Sequence, residues 1–164
     1  MIRTPEQRAL AADVELLYTR YSEVLDDADI ARWPGFFVDA SSYRITTREN
    51  LEQDLPLCFV WCEGQAMLRD RAAALQHTVV FRRRFQRRII SGVRLKTWQG
   101  LDGDGVEACA SFLVYESLGD MPSQLLACGR SQDVIVRDGD ALKFKHRLCV
   151  IDARVMPDSL VFPI

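Results

Sequence analysis

The chain has 164 residues, 48% hydrophobic and 27% charged, so it fits one ordinary globular domain over residues 1–164 with a core of its own. Its formal net charge is −2, whereas a dedicated nucleic-acid-binding domain usually carries a basic balance, so we expect no nucleic-acid partner. No apolar run reaches the roughly 18 residues that a membrane-spanning helix needs, so we expect no membrane segment.

The first predicted element is a long amphipathic helix that begins near Thr4. The sequence TPEQ has the form of a capping box, with proline at the first helical position. Apolar residues then recur at three- and four-residue spacing, namely Leu10, Val14, Leu17, Tyr18, Tyr21 and Leu25. The N-terminal stretch MIRTPEQRAL runs straight into this pattern without the apolar segment of a signal peptide, and we therefore expect a cytoplasmic protein.

The middle of the chain predicts a mixture of short elements. A short helix capped by Asp29 is expected to close the core with a dense apolar set, namely Ile30, Trp33, Phe36 and Phe37. The sequence SSYRITT at 41–47 alternates and is β-branched, which predicts a strand. Residues 48–62 show no clear period and are predicted to form a loop. Helix-forming residues predict a further helix over residues 64–76.

From residue 79 onward the pattern predicts a sheet. Strands are expected over residues 106–118, 124–136 and 142–151, and Asp138-Gly139 is a strong hairpin signal. Alternation in the last strand places one set of residues on a single face, namely Leu142, Phe144, His146, Leu148 and Val150. Helices followed by an antiparallel meander predict an α+β domain, with the helices packed on one face of a curved sheet.

The residue inventory does not support metal chemistry in this chain. His77 and His146 are its two histidines, and neither has a carboxylate at ligand spacing. Cys58 and Cys62 are the closest pair among five cysteines, and three intervening residues separate them, so they do not form a CxxC motif. We expect His146 to be a hydrogen-bonded core residue and the cysteines to be small buried hydrophobes. No catalytic, cofactor-binding or metal-binding residue is predicted.

A domain of this class can also enclose a pocket in which an aspartate and a tyrosine transfer protons. Tyr18, Tyr43, Asp39 and Asp70 are available for such a site, although nothing in the sequence selects them. Two alternatives therefore stay open: a stand-alone isomerase or dehydratase, and a homo-oligomeric small-molecule binder. A deep, closed pocket that holds a desolvated carboxylate beside a tyrosine would favour the enzyme.

A run of positive charge interrupts the predicted sheet. The sequence RRRFQRR begins at Arg82 and places five arginines in seven positions. On a strand, Arg82, Arg84 and Arg88 would share one face, and Arg83, Phe85 and Arg87 the other. Like charges this close repel unless anionic groups neutralise them, and the flanking apolar and aromatic residues are typical of a protein interface. We therefore predict that this run faces a partner subunit.

Three stretches together are similar to one protein family. They are YSEVLDDADIARWPGFFVDASSYRITTREN (21–50), MLRDRAAAL (67–75), and ACGRSQDVIV (127–136) followed by LKFKHRLCVIDARVMPDSLVFPI (142–164). In order and spacing they resemble the opening block, central helix and C-terminal strands of the small (β) subunits of bacterial aromatic-ring-hydroxylating dioxygenases. One departure is Arg87-Arg88, where family members often show an Arg-His pair, so a role tied to that histidine does not carry over to this chain.

The resemblance implies a cone-shaped fold like that of nuclear transport factor 2, also called SnoaL-like, and a non-catalytic chain without a cofactor. It places a Rieske 2Fe–2S cluster and a mononuclear Fe(II) on a separate catalytic α subunit. It further implies an α3β3 hexamer with a β3 trimer, served by an NAD(P)H reductase and in some systems a ferredoxin. Within the family, the spacing is closest to oxygenases for aromatic carboxylates such as terephthalate.

The resemblance and the arginine run together indicate which residues meet other subunits. The expected interface residues are Arg71, Arg82, Arg84, Arg87, Arg88, Leu160 and Phe162. The tail sequence SLVFPI is expected to be docked, because leaving its large apolar side chains in water forgoes about 1.5–3 kcal/mol of burial free energy each.

Overall fold

The structure is a computed structural model that describes residues 4–77, 84–96, 105–156 and 160–164. Its helices are α1 (Pro5–Asp26), a 3₁₀ helix (Ile30–Phe36), α2 (Arg48–Glu52) and α3 (Gly64–His77). Its strands are β1 (Phe37–Thr47), β2 (Val60–Glu63), β3 (Arg84–Leu95), β4 (Val106–Leu118), β5 (Gln124–Asp138) and β6 (Ala141–Ile151). Within these ranges, no helix is long and apolar enough to cross a membrane.

The six strands form one mixed sheet in the order β2-β1-β6-β5-β4-β3. All neighbouring pairs are antiparallel except β1 and β6, which run parallel and bring the N-terminal strand to the C-terminal one. Helices α1 and α3 pack on one side of this sheet, and the hydrophobic core lies between them and the strands. The predicted α+β class, with helices on one face of a mainly antiparallel sheet, is confirmed.

Helix α1 forms as its sequence predicts. The Gln7 backbone N–H donates to the Thr4 hydroxyl at 3.2 Å, and the Thr4 N–H donates to the Gln7 side chain at 3.0 Å, so the capping box is complete. The residues that α1 buries lie on one stripe, namely Val14, Leu17, Tyr18, Tyr21, Val24 and Leu25. This stripe places two tyrosine hydroxyls inside the domain.

Two short elements replace the loop that was predicted over residues 48–62. Helix α2 begins where the Thr47 hydroxyl accepts the Asn50 N–H at 3.1 Å, and β2 pairs with β1 over only four residues. The aromatic segment beyond Asp29 is a 3₁₀ helix, and Asp29 makes no capping hydrogen bond through its side chain. Its tryptophan, Trp33, is nevertheless fully buried, as expected of a residue that closes the core.

The predicted face of β6 is correct for Leu142 and Phe144 and wrong from His146 onward, because of a register shift. Val134 of β5 pairs with His146, whereas the next residue, Ile135, pairs with Phe144, so one β6 residue is unpaired. Such a bulge sends every following side chain to the opposite face. Phe144 therefore points into the core and His146 is exposed, where its Nδ1 lies 2.9 Å from the Ser42 hydroxyl. The residues that share the core face with Phe144 are Arg147, Cys149 and Ile151.

Candidate functional site

A buried ion pair lies at the centre of the domain. The Arg147 guanidinium on β6 donates to the Asp133 carboxylate on β5 at 3.0 Å, and the side chains are 1% and 0% exposed. The Tyr18 hydroxyl on α1 donates to the same carboxylate oxygen. The bulge in β6 and the inward face of α1 together bring these three groups to one point. They form a desolvated carboxylate beside a tyrosine.

The electrostatics of this group follow from its burial. Burial raises the pKa of Asp133, and the Arg147 charge and the Tyr18 hydrogen bond oppose that rise. Burial, and then the negative charge of Asp133, raise the pKa of the Tyr18 hydroxyl far above its ordinary value. Tyr18 therefore keeps its proton and acts as a hydrogen-bond donor to the carboxylate.

Aromatic rings fill the space around the ion pair. The Arg147 guanidinium carbon lies 4.5 Å from the centre of the Tyr21 ring, 4.8 Å from Phe144 and 5.4 Å from Tyr18. Trp33 and Tyr21 complete the packing, in edge-to-face contacts typical of aromatic cores. An open groove of about 650 Å³ runs between α1 and β3 and touches Tyr18. Because Asp133 itself has no exposed side-chain surface, a substrate cannot reach the carboxylate in this conformation.

Among the four predicted candidates for an Asp/Tyr site, Tyr18 is the one that hydrogen-bonds to a buried carboxylate. Tyr18 pairs with Asp133, a residue that the sequence argument missed, although alternation in β5 would have placed it on the face of Ile135. Tyr43 is buried, and its hydroxyl is bound by the C-terminal tail. Asp39 and Asp70 are exposed, so they do not form a site with the tyrosines.

The arginine-rich strand β3 alternates as predicted, and its inward charges are paired within the chain. Arg84 donates to Glu116 at 3.0 Å, and their side chains are 8% and 0% exposed. Arg88 donates to Asp26 at 2.7 Å, and their side chains are 1% and 5% exposed. Gln86 lies between the two pairs, donating to Glu116 at 2.9 Å and accepting from Arg88 at 2.8 Å. The result is one continuous buried polar network that fixes β3 to β4 and α1.

The other side of β3 is exposed and apolar. Phe85 and Ile89 are 59% and 49% exposed, and the Arg87 side chain between them is 74% exposed. Ile89 lies opposite Leu113, and Arg87 opposite Tyr115, on β4. We call the following set the outer apolar face: Phe85, Arg87, Ile89, Leu113, Tyr115 and Leu125. A contiguous apolar surface of this kind is typical of a protein-binding site.

The remaining predicted interface residues lie near the tail or outside the described ranges. Arg71 on α3 donates to the Val161 carbonyl at 3.2 Å, and Leu160 and Phe162 pack against the core while half-buried. Arg82 lies outside the described residues. The assignment of these residues to a subunit interface stays a prediction.

The donor set in the described part of the chain does not form a metal site. Over residues 4–77, 84–96, 105–156 and 160–164 no three histidine, cysteine or acidic side chains are grouped closely enough to hold an ion. His77 is exposed at the end of α3, far along the chain from exposed His146. Burial raises the pKa of Cys149 to about 11, so that thiol stays protonated at neutral pH.

A curved sheet wraps around α1 and α3, and side chains fill the interior between them. This architecture defines the chain as an α+β protein of the nuclear transport factor 2-like class. Residues 20–158 match the profile of the ring hydroxylating beta subunit family, and the chain belongs to that family.

Individual relatives agree with this family. The chain is 28% identical over 152 residues to the anthranilate 1,2-dioxygenase small subunit of Burkholderia cepacia, covering 93% of this chain and 92% of that protein. It is 27% identical to the terephthalate 1,2-dioxygenase terminal oxygenase component subunit beta 1 of Comamonas sp, covering 88% and 92%. A crystal structure of the beta subunit of a proposed aromatic-ring-hydroxylating dioxygenase from Novosphingobium aromaticivorans superposes with a TM-score of 0.84 at 28% identity, covering 96% and 98%.

Proposed function

We propose that this chain is the non-catalytic structural subunit of a ring-hydroxylating dioxygenase that dihydroxylates an aromatic compound. Family membership supports the dioxygenase assignment. The observation that carries the structural role is the contrast between the two faces of the sheet: the inner face is filled by side chains, whereas the outer apolar face exposes large hydrophobic residues. A surface of this kind is built for contact with protein rather than for chemistry on a small molecule.

The cofactors of such an enzyme would belong to a partner subunit. A Rieske centre needs two cysteine and two histidine ligands, and the two histidines of this chain sit on separate exposed positions. We therefore infer a catalytic α subunit that carries the Rieske cluster and the mononuclear Fe(II), in a cytoplasmic α3β3 assembly with a β3 trimer. An NAD(P)H reductase, with a ferredoxin in some systems, would supply the electrons.

We propose an aromatic carboxylate as the substrate of the whole enzyme. The support is that the relatives described above act, by their names, on anthranilate and on terephthalate, both of which are aromatic carboxylates. Since this chain is 27–28% identical to them, the substrate itself is best tested on the assembled enzyme.

A stand-alone isomerase or dehydratase is the second candidate, because Asp133 and Tyr18 form the carboxylate–tyrosine pair that such an enzyme would need. Two observations argue against it. The Asp133 side chain is fully buried and paired with Arg147, and aromatic rings pack around the Arg147 guanidinium. A general base needs contact with its substrate, and this carboxylate offers none.

Among the predicted interface residues, we place Arg87 at the centre of the subunit contact. Its side chain is 74% exposed between Ile89 and Tyr115, and its guanidinium also lies 3.6 Å from the Asp26 carboxylate of α1. An arginine beside apolar surface is frequent in interface hot spots. Arg84 and Arg88 would act from beneath by holding β3 in place. The tail-associated residues Arg71, Leu160 and Phe162, together with Arg82, complete the proposed interface.

The experiment that tests this proposal changes the outer apolar face and leaves the core intact. We expect Ile89→Lys to weaken association with the catalytic subunit or the β3 trimer by roughly 30-fold or more, because the change buries a charge at an interface hot spot. The matched control is Leu16→Lys, since Leu16 on α1 is an aliphatic residue of the same size as Ile89 and is similarly exposed, at 45%, but lies on another surface. Sedimentation velocity measures assembly, and circular dichroism checks that each isolated variant is folded. Equal assembly of both variants would show that the outer apolar face is not the interface.

A further inference from the structure

The C-terminal tail, residues 160–164, is held by side chains of four other elements. Its residues form neither helix nor strand. The Val161 carbonyl accepts from Arg71 of α3 at 3.2 Å, and the Pro163 carbonyl accepts from Arg88 of β3 at 2.5 Å. Side-chain donors thus bind the tail backbone in the way that a receptor binds a separate peptide.

Ile164 is buried most deeply. Its backbone N–H donates to the Tyr43 hydroxyl of β1 at 2.8 Å, and its carbonyl accepts from the Tyr21 hydroxyl of α1 at 2.8 Å. The Tyr43 hydroxyl also lies 3.3 Å from this carbonyl, and the residue as a whole is 2% exposed. The Ile164 N–H and its carbonyl oxygen are therefore both bound by fully buried tyrosines.

Two of the groups that bind the tail, Arg88 and Tyr21, are positioned by contacts that do not involve it. Arg88 is anchored by Asp26 at 2.7 Å and by Gln86 at 2.8 Å. The Tyr21 hydroxyl accepts from the Trp33 indole at 3.1 Å, and its ring packs against Phe144 at 5.5 Å. Donors held in this way need little reorganisation to bind a ligand, and preorganisation of this kind lowers the free-energy cost of binding.

We propose that the interior of the domain contains a peptide-binding site. This chain fills the site with its own tail, and the site binds the same segment when that segment is supplied as a separate peptide. The ligand class is a short apolar peptide with the sequence Val-Phe-Pro-Ile. The carbonyl oxygens of its Val, Pro and Ile residues accept from arginine and tyrosine donors, and the isoleucine side chain lies in the core. The site does not depend on the subunit role of the protein, since all its donors belong to one chain.

A chain that can be cut just before the tail tests this proposal. A protease recognition sequence is inserted between residues 158 and 159, the purified full chain is cut, and fluorescein-labelled Ser-Leu-Val-Phe-Pro-Ile is added in excess. Fluorescence anisotropy follows its binding, and circular dichroism follows the fold. We expect the cut chain to stay folded and to bind the labelled peptide saturably, with one peptide per chain, while a scrambled peptide of the same composition fails to compete.

Matched tyrosine variants assign the binding to this site. Tyr43→Phe removes the hydroxyl that accepts from the Ile164 N–H and leaves that buried donor without a partner, so we expect it to weaken peptide binding roughly 5- to 160-fold. Tyr115→Phe changes an exposed tyrosine on the outer apolar face and should leave binding unchanged. The proposal is overturned if the cut chain unfolds, if it stays folded without binding the peptide, if the scrambled peptide binds equally well, or if the two variants behave alike.

Discussion

The buried ion pair between Arg147 and Asp133 allows a stringent test of how the interior is stabilised. We expect Arg147→Met to lower the free energy of unfolding by about 3–5 kcal/mol, because it leaves a fully buried carboxylate without its charged partner. For a domain of this size that corresponds to a fall of roughly 6–20 °C in Tm. Arg130→Met is the control, since Arg130 is an exposed arginine on β5 and should contribute about 0–1 kcal/mol.

The pH dependence of the same variant has a definite sign. Without Arg147, burial raises the pKa of Asp133 against the weaker opposition of the hydrogen bonds from Tyr18 and Ser131. A carboxyl group whose folded pKa lies above its unfolded pKa binds protons more tightly in the folded state, so stability falls as the pH rises through that folded pKa. We expect Arg147→Met to be more stable at pH 5 than at pH 8, relative to the unmodified chain.

A double-mutant cycle measured by urea denaturation completes the test. Asp133→Asn alone leaves Arg147 buried and unpaired, so it should also be strongly destabilising. Combining it with Arg147→Met removes both charges, and we expect the double variant to lose at least about 2 kcal/mol less than the sum of the two single losses. Additive losses, or a cost for Arg147→Met no larger than for Arg130→Met, would show that the Arg147–Asp133 ion pair does not stabilise the core in this way.

Three further predictions concern β3, the β1–β2 edge and the metal content. Arg84→Ala should cost about 3–5 kcal/mol of unfolding free energy because its partner Glu116 is fully buried, whereas Arg87→Ala should cost about 0–1 kcal/mol. Equal costs in urea denaturation would contradict the assignment of Arg84 to the inner face of β3 and Arg87 to its outer face. Hydrogen bonds from Arg44, and then from the Trp61 indole, lower the pKa of Glu63. The stability contributed by ionised Glu63 is therefore complete above pH 4.5 and is lost as the pH falls through the folded pKa. An NMR titration should show that the Glu63 pKa rises in Arg44→Leu, and an unchanged pKa would count against the ion pair. The purified chain should carry no iron, labile sulfide or zinc, and a metal ion bound one per chain after a chelator wash would overturn the assignment of the cofactors to a partner.

Much of the fold could be predicted from local sequence patterns. The capping box at Thr4 and the apolar stripe of α1 lie within one helix, where side-chain spacing alone determines which residues share a face. The Asp138-Gly139 signal correctly located the β5–β6 hairpin, because Gly139 adopts a positive φ of 61° that glycine accommodates readily. Strand alternation also separated Arg84 and Arg88 from Arg87 correctly. These features depend on neighbours close in the sequence.

The tertiary structure decided which of the predicted groups meet. A single unpaired residue in β6 turned His146 outward and Arg147 inward, and no local pattern announces a bulge of this kind. Asp133 became the partner of Tyr18 because β5 and α1, which lie more than 100 residues apart, are packed across one core. The inward arginines of β3 found their acidic partners on α1 and β4 by the same long-range packing. Sequence alone could identify the charges, but their pairing depends on distances that exist only once the sheet has closed around the helices.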